Sequence, residues 1–298
     1  MDIEVVFLGT ASAIPSIKKN HSGFLVKTEK HQILVDCGEG IQRQFKIAKE
    51  NLSKITKILI THWHEDHTVG LAGLLKTMGM NSYADILHIY GPRQTKEKIE
   101  LFQQIYSRFK IKIEIHEISN SLVYEDKQIR IESSQMDHGV PTLAYSIIQK
   151  EVLRIDKSKL KKLKIPSSPL IGELQKGKDI IFNGKKIRAK DVTYVQNGKK
   201  LTIILDTAEN PNTIKLAKDS DLLICESTYC AEEKEQAREY KHLTTVEAAT
   251  IAKKAKVKSL ALVHISHKHL NRIPQLLKEA KKIFIKTIIP EDLEKITI

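Results

Sequence analysis

The stretch Thr61-His62-Trp63-His64-Glu65-Asp66-His67 decides how the rest of the chain is read. Four side chains able to bind a metal (His62, His64, Asp66 and His67) fall within six residues. They follow directly on Lys57-Ile58-Leu59-Ile60, a short apolar run rich in β-branched residues that reads as a strand. Imidazole suits zinc, and carboxylate suits zinc or manganese. One short loop cannot wrap all four groups around a single ion. His62 and His64 alternate in an extended segment and face one ion; Asp66 and His67 come after the chain turns and face a second. The natural reading is a pair of metals about 3.5–4 Å apart, each needing further ligands from elsewhere.

Working outward, the same strand-then-loop pattern recurs. Ile3–Leu8, Gly23–Val26 and Gln32–Val35 read as strands, Gly40–Asn51 as a helix, Leu71–Met80 as a buried helix, Ile86–Tyr90 as a strand, and Thr95–Phe109 as an amphipathic helix. Residues Ile111–Ser134 read as several strands. In the last third, Leu201–Leu205, Leu222–Cys225 and Ser259–Val263 read as strands, with helices at Asn212–Ala217 and Thr245–Ala255. Chemistry-bearing residues stand repeatedly at the C-terminal ends of these strands: His62, Asp206, Glu226 and His264. In sheets flanked by helices the loops at one edge converge, so residues far apart in sequence meet there. Two strand-rich halves, each followed by helices, predict two sheets packed face to face with helices outside.

The chain has 298 residues, 41% hydrophobic and 29% charged, as in an ordinary globular protein. Its net charge of +13 points to a polyanionic partner, nucleic acid or an acidic surface. Most of that excess is local: residues 150–200 hold 15 Lys+Arg against 5 Asp+Glu, a net of +10. This segment also carries Pro166-Ser167-Ser168-Pro169 and sparse apolar residues, and reads as an inserted flexible arm on a single domain spanning 1–298. Three cysteines (Cys37, Cys225 and Cys230) fit neither a disulfide framework nor a zinc-finger spacing, and imply a reducing compartment. No signal peptide or membrane-spanning run is apparent, so a cytoplasmic protein is expected.

The H-x-H-x-D-H motif after a strand, followed by Gly70-Leu71-Ala72-Gly73-Leu74-Leu75, resembles the metallo-β-lactamase superfamily and, within it, the tRNase Z (ribonuclease Z) family. Leu8-Gly9-Thr10, Pro15–Asn20, Asp36-Cys37-Gly38-Glu39-Gly40-Ile41-Gln42 and Tyr90-Gly91-Pro92 carry the resemblance along most of the chain. It implies an α/β, αββα fold: two mixed β-sheets sandwiched between helices. It also implies a metal-dependent endoribonuclease, a hydrolase that removes the 3′ trailer of precursor tRNA by two-metal attack of hydroxide on a phosphodiester. Two zinc ions per subunit are expected, with manganese or another divalent ion as the alternative.

By matching motif, the resemblance implies His62, His64 and His138 on one ion, Asp66, His67 and His264 on the other, and Asp206 between them. Asp66 doubles as the base that orients the attacking group. His242 matches the family's later histidine and is the expected acid for the leaving ribose oxygen, with Glu226 as the carboxylate that keeps it protonated. Residues 150–200 lie between His138 and Asp206, where the family carries an exosite arm that binds tRNA, usually in a homodimer. Its Lys161, Lys162, Lys164, Lys176, Lys178, Lys185, Lys186 and Arg188 are the expected RNA-binding residues, touching phosphates without reading sequence. Pro166–Pro169 replace the arm's usual Gly-Pro motif, and Leu205 stands where Gly usually precedes the bridging aspartate.

The competing functions are a small-molecule phosphodiesterase or arylsulfatase-like hydrolase of the same fold, and a non-catalytic RNA-binding protein. Neither explains both the complete ligand set and the cationic arm. His267 and His269 are expected to be solvated neighbours of His264, Glu65 to face solvent, and Trp63 to pack beside the centre. His21, His31, His88 and His116 show no supporting pattern.

Overall fold

The computed structural model describes residues 2–106 and 108–298. The chain starts with six strands: β1 (Glu4–Gly9), β2 (Gly23–Lys27), β3 (Gln32–Val35), β4 (Lys57–Leu59), β5 (Ile86–Gly91) and β6 (Lys112–Glu117). Three more follow: β7 (Ser121–Glu125), β8 (Ile129–Met136) and β9 (Thr142–Gln149). An excursion then carries β10 (Val152–Ile155), β11 (Ile180–Phe182), β12 (Lys185–Ile187) and β13 (Thr193–Gln196). The chain returns through β14 (Lys199–Ile204), β15 (Leu222–Glu226), β16 (Leu260–Val263), β17 (Thr287–Ile288) and β18 (Lys295–Thr297).

These strands form two seven-stranded sheets, ordered β18-β1-β2-β3-β4-β5-β6 and β17-β16-β15-β14-β9-β8-β7. In each, one part is antiparallel and the other parallel: β3 to β6 in the first sheet, β14 to β17 in the second. The parallel parts need crossovers, which the helices supply.

The period of two along each strand sorts the core into layers. Val5, Phe7, Phe24, Val35 and Leu59 face Tyr145, Ile203, Ile224 and Val263 between the sheets. The alternate residues Val6, Leu8, Leu34 and Ile58 meet Ile41, Phe45, Leu71, Leu75 and Met78 of the helices outside the first sheet. Ile204, Leu223 and Cys225 meet Ala248, Ala252 and Ala280 outside the second. The result is the αββα sandwich that the sequence pattern implies. Strands buried on both faces read as continuous apolar runs, which is why they stand out in the sequence.

Two helices are shorter than their patterns suggest. The one expected over Gly40–Asn51 spans Ile41–Ile47, and a 3₁₀ turn follows at Leu52–Lys54. It stops because Lys49 takes φ +57° and the Glu50 N–H bonds back to the Phe45 carbonyl. A glycine would usually mark such a stop. The helix expected over Thr95–Phe109 spans Thr95–Tyr106, and Ser107 lies outside the described residues.

The basic segment is folded, contrary to what its sparse apolar content suggests. β10 and β13 pair as a two-stranded stalk, and β11 and β12 form a hairpin through Asn183-Gly184, both at positive φ. Helices Lys157–Lys162 and Pro169–Gln175 are set by an Asp156 cap and by Ser168-Pro169. Leu160, Ile165, Leu174, Ile180, Ala189 and Val192 close a small core of their own. The stalk leaves the sandwich where Gln149 of β9 faces Lys199 of β14, so the two sheets close without it. Leu174→Ala, which removes a fully buried side chain from that core, should cost the arm about 2–5 kcal/mol. Limited proteolysis should then cut within residues 156–191 sooner, with the melting temperature of the sandwich unchanged; a lower melting temperature would show that arm and sandwich share one core.

Candidate metal centre

The expected site residues meet at one edge of the sandwich because the parallel strands point their C-terminal ends there. Asp36 follows β3, and His62 comes three residues after β4 ends. His138 follows β8, Asp206 follows β14, Glu226 ends β15 and His264 follows β16. Asp36, Asp206 and His264 have positive φ (57°, 25° and 58°), an unfavourable backbone for residues other than glycine. Such strain at adjoining strand ends is a mark of functional positions.

The two loops of the first sheet lock together. Cys37 N–H donates to the His67 carbonyl at 2.7 Å, and Gly70 N–H donates to the Cys37 carbonyl at 3.0 Å. A side chain at Gly70 would collide with the Gly38 carbonyl oxygen, so this approach requires glycine. The Tyr145 hydroxyl donates to the Ile60 carbonyl at 2.7 Å and ties the start of the loop to the second sheet.

Within this frame the donor atoms form two groups: His62, His64, His138 and Asp206, and then Asp66, His67 and His264. Asp206 touches both. Its Oδ2 lies 3.6 Å from His62 Nε2 and 3.8 Å from His138 Nε2, and its Oδ1 lies 3.5 Å from His67 Nε2 and 3.3 Å from His264 Nε2. Asp66 Oδ2 is 3.3 Å from His264 Nε2. The seven side chains that the motifs imply meet here, and His242 joins Asp206 and His264 in a third, overlapping group.

Two buried carboxylates orient four of the histidines. Asp36 accepts from His67 Nδ1 at 2.7 Å and from the Thr61 hydroxyl at 2.7 Å. That hydroxyl, its proton given to Asp36, accepts from His62 Nδ1 at 3.1 Å. Glu226 repeats the scheme: it accepts from His242 Nδ1 at 2.9 Å and from the Thr228 hydroxyl at 2.7 Å, which in turn accepts from His264 Nδ1 at 2.9 Å. His138 Nδ1 donates to the Lys241 carbonyl at 3.1 Å. Each ring thus spends its Nδ1 proton outside the centre and turns the Nε2 lone pair of His62, His67, His138 and His264 inward. Such outer partners fix both tautomer and ring angle.

Asp36, Thr61 and Thr228 were not singled out by the sequence. Asp36 opens the Asp36-Cys37-Gly38 turn, and its signal was a carboxylate at a strand end two residues before a glycine. The threonines stand beside chemistry-bearing residues but carry no signal of their own.

The electrostatics call for a cation. Burial alone would raise Asp206, but His264 and His67 hold it well below the usual carboxylate range. Burial would lower His67, but Asp206 and Asp36 raise it well above the ordinary imidazole value. Positive charge is therefore stabilised at this spot. Asp206 Oδ1 is buried with no hydrogen-bond donor, an acceptor left for something outside the chain. Nitrogen and oxygen donors in this number fit a pair of divalent cations. His62 and His138 are both pushed down, by burial first and then by neighbouring histidines, and stay neutral as ligands must.

The other expectations divide. Glu65 is exposed, and Trp63 packs half-buried beside the centre, its Nε1 donating to Thr95 Oγ1 at 2.9 Å. His267 is exposed, but His269 is not solvated: it is buried against Glu233 at 2.7 Å, beside Cys230. His31 pairs with Asp126 at 2.8 Å, and His88 and His116 lie together near Glu114, so these three do have partners. All eight arm cations are exposed. Lys176 and Lys178 pair with Glu173, Lys186 with Asp179, and Arg188 with Asp191; Lys161, Lys162, Lys164 and Lys185 have no carboxylate partner among the described residues.

Fold and donor set together define a metal-dependent hydrolase of the metallo-β-lactamase fold. Bacillus subtilis YhfI, a protein of that fold, superposes with a TM-score of 0.72 over 100% of both chains at 20% identity, a likeness of fold alone. Human tRNase Z, short form, gives a TM-score of 0.72 at 25% identity over 98% of both chains. The ribonuclease Z of Methanosarcina acetivorans is 34% identical over 300 aligned residues, which cover 99% of this chain and 98% of that one. The family described as Anti-Pycsar protein Apyc1 matches residues 3–155. The chain belongs to that family by its N-terminal half and, over its whole length, to the ribonuclease Z family.

Asp36→Asn keeps the shape but loses the charge that holds His67 and Thr61. It should weaken divalent-cation affinity about 10–100-fold, read by competition with a chromophoric chelator. Unchanged affinity would show that Asp36 does not set the centre.

Proposed function

We propose that this chain is the endoribonuclease that cuts precursor tRNA at its 3′ end and removes the trailer. Membership of the ribonuclease Z family along the full chain carries the activity, and one observation in the structure supports it most: Asp206 has one oxygen turned to each of two donor groups. His62, His64 and His138 would hold one zinc ion, Asp66, His67 and His264 the other, with Asp206 between. Bound there, such ions supply a lowered water pKa and offset charge on the phosphoryl oxygens.

The chain's own groups do the rest. Asp66, buried at the centre, orients the attacking water and takes its proton. His242 is the proton donor. Its Nδ1 is held by Glu226, so Nε2 is the atom that hands a proton to the departing ribose oxygen. Burial would lower His242, but Glu226 and Asp206 raise it to about 9, which keeps it charged at neutral pH.

The arm is the tRNA-docking element in this reading. Lys161, Lys162, Lys164, Lys176, Lys178, Lys185, Lys186 and Arg188 line an exposed module on a two-stranded stalk, suited to reach phosphates away from the cut. In the homodimer we infer, one subunit's arm presents RNA to its partner's centre. Three buried free cysteines support a reducing, cytoplasmic setting, and no helix among the described residues is long and apolar enough to cross a membrane.

A 3′-extended precursor tRNA should be cut once, beside the discriminator base, and a chelator should abolish the cut; random degradation or no product would contradict the reading. Replacing residues 151–197 with a short turn should cost far more on precursor tRNA than on a small phosphodiester. Equal losses would favour a small-molecule phosphodiesterase. His242 acts protonated, so the rate is present below its pKa and lost as pH rises through about 9. Glu226→Gln removes the group that raises it. The basic limb should move down toward about 6.5, with a loss of roughly thirtyfold at pH 8. An unmoved limb would place the acid elsewhere.

A further inference from the structure

A second group of donors lies on the first sheet and shares no residue with the centre. β6 is an edge strand, and Glu114 and His116, two apart, point to the same side. In the parallel register His88 of β5 stands opposite Glu114, and Tyr90 opposite His116. Tyr90 belongs to the core between the sheets, so these side chains look inward at the open edge of the sandwich.

Three atoms converge there. His88 Nδ1 lies 3.2 Å from His116 Nε2 and 3.3 Å from Glu114 Oε2, and the last two atoms are 4.0 Å apart. Zinc bound tetrahedrally with metal–ligand distances of 2.0–2.1 Å sets its ligands about 3.3–3.4 Å apart. The rings are already held for this. His116 stacks on Tyr90 at 4.5 Å and 16°, and on His88 at 5.5 Å and 26°. The side chains are 31%, 53% and 38% exposed for His88, Glu114 and His116, so water can complete the coordination. Lys57, opposite His88 on β4, leans the other way: its ammonium is 3.5 Å from His31 Nδ1 and 4.0 Å over the Tyr124 ring.

We propose that His88, Glu114 and His116 form a further divalent-cation site, selective for zinc and similar cations, that staples edge strand β6 to β5. Two imidazoles and one carboxylate match the ligand preference of such ions. An ion here bridges neighbouring strands at an edge where β6 has β5 as its one strand partner.

The test uses the full chain stripped with chelator, dialysed against zinc chloride, and assayed for zinc per chain by mass spectrometry. Wild type should hold one zinc more than either His88→Ala or Glu114→Gln, the second being an exposed, isosteric change. Precursor-tRNA cleavage should be equal in all three. Equal zinc content would overturn the proposal. A lost zinc accompanied by lost cleavage would overturn it too, by assigning that ion to the centre. The difference between chains is independent of how many ions the centre itself holds, so a failure of the two-ion reading would appear separately, in the absolute content.

Discussion

Asp36 and Glu226 are carboxylates buried at the ends of strands in different sheets, and each holds one histidine directly and a second through a threonine hydroxyl. A buried carboxylate is costly unless its oxygens are satisfied, and here the satisfying groups are the imidazoles of the centre and the hydroxyls beside them. The cost of burying the charge is thereby converted into fixed ring orientations. The two halves of the sandwich contribute one such unit each, and Asp206 stands between them with an oxygen toward either side.

This arrangement explains why the fold is needed. A parallel register gathers the ends of β3 and β4 on one sheet and of β14, β15 and β16 on the other. Sheet-to-sheet packing then sets the two edges face to face, with Tyr145 bonded across to Ile60. Positive φ at Asp36, Asp206 and His264 turns each chain sharply off its strand and aims the side chain inward. The core between the sheets thus acts on the chemistry by fixing distances, and the basic arm can vary outside it because β9 and β14 pair without it.

Much of this was legible in the sequence. The strands buried on both faces read as apolar runs, and the dense donor motif after β4 stood out because few other uses call for four such groups in six residues. Other features were not legible, for physical reasons. Asp36 looks like any turn aspartate until the fold places His67 beside it. Thr61 and Thr228 matter only through their hydroxyl geometry. His269 looked solvated because its partner Glu233 comes from a distant turn. The arm's core hid because its apolar residues come from short elements and a loop, although Asn183-Gly184 is a strong local hairpin signal and was readable. The cross-strand trio of His88, Glu114 and His116 depends on register, which a single sequence does not display.

In the function we propose, seven side chains hold two adjacent cations with Asp206 between them. Anomalous diffraction at the zinc edge from crystals of the zinc-loaded protein tests it directly. Two peaks about 3.5–4 Å apart are expected, one among His62, His64 and His138 and the other among Asp66, His67 and His264. A single peak at the centre, or peaks away from Asp206, would contradict it.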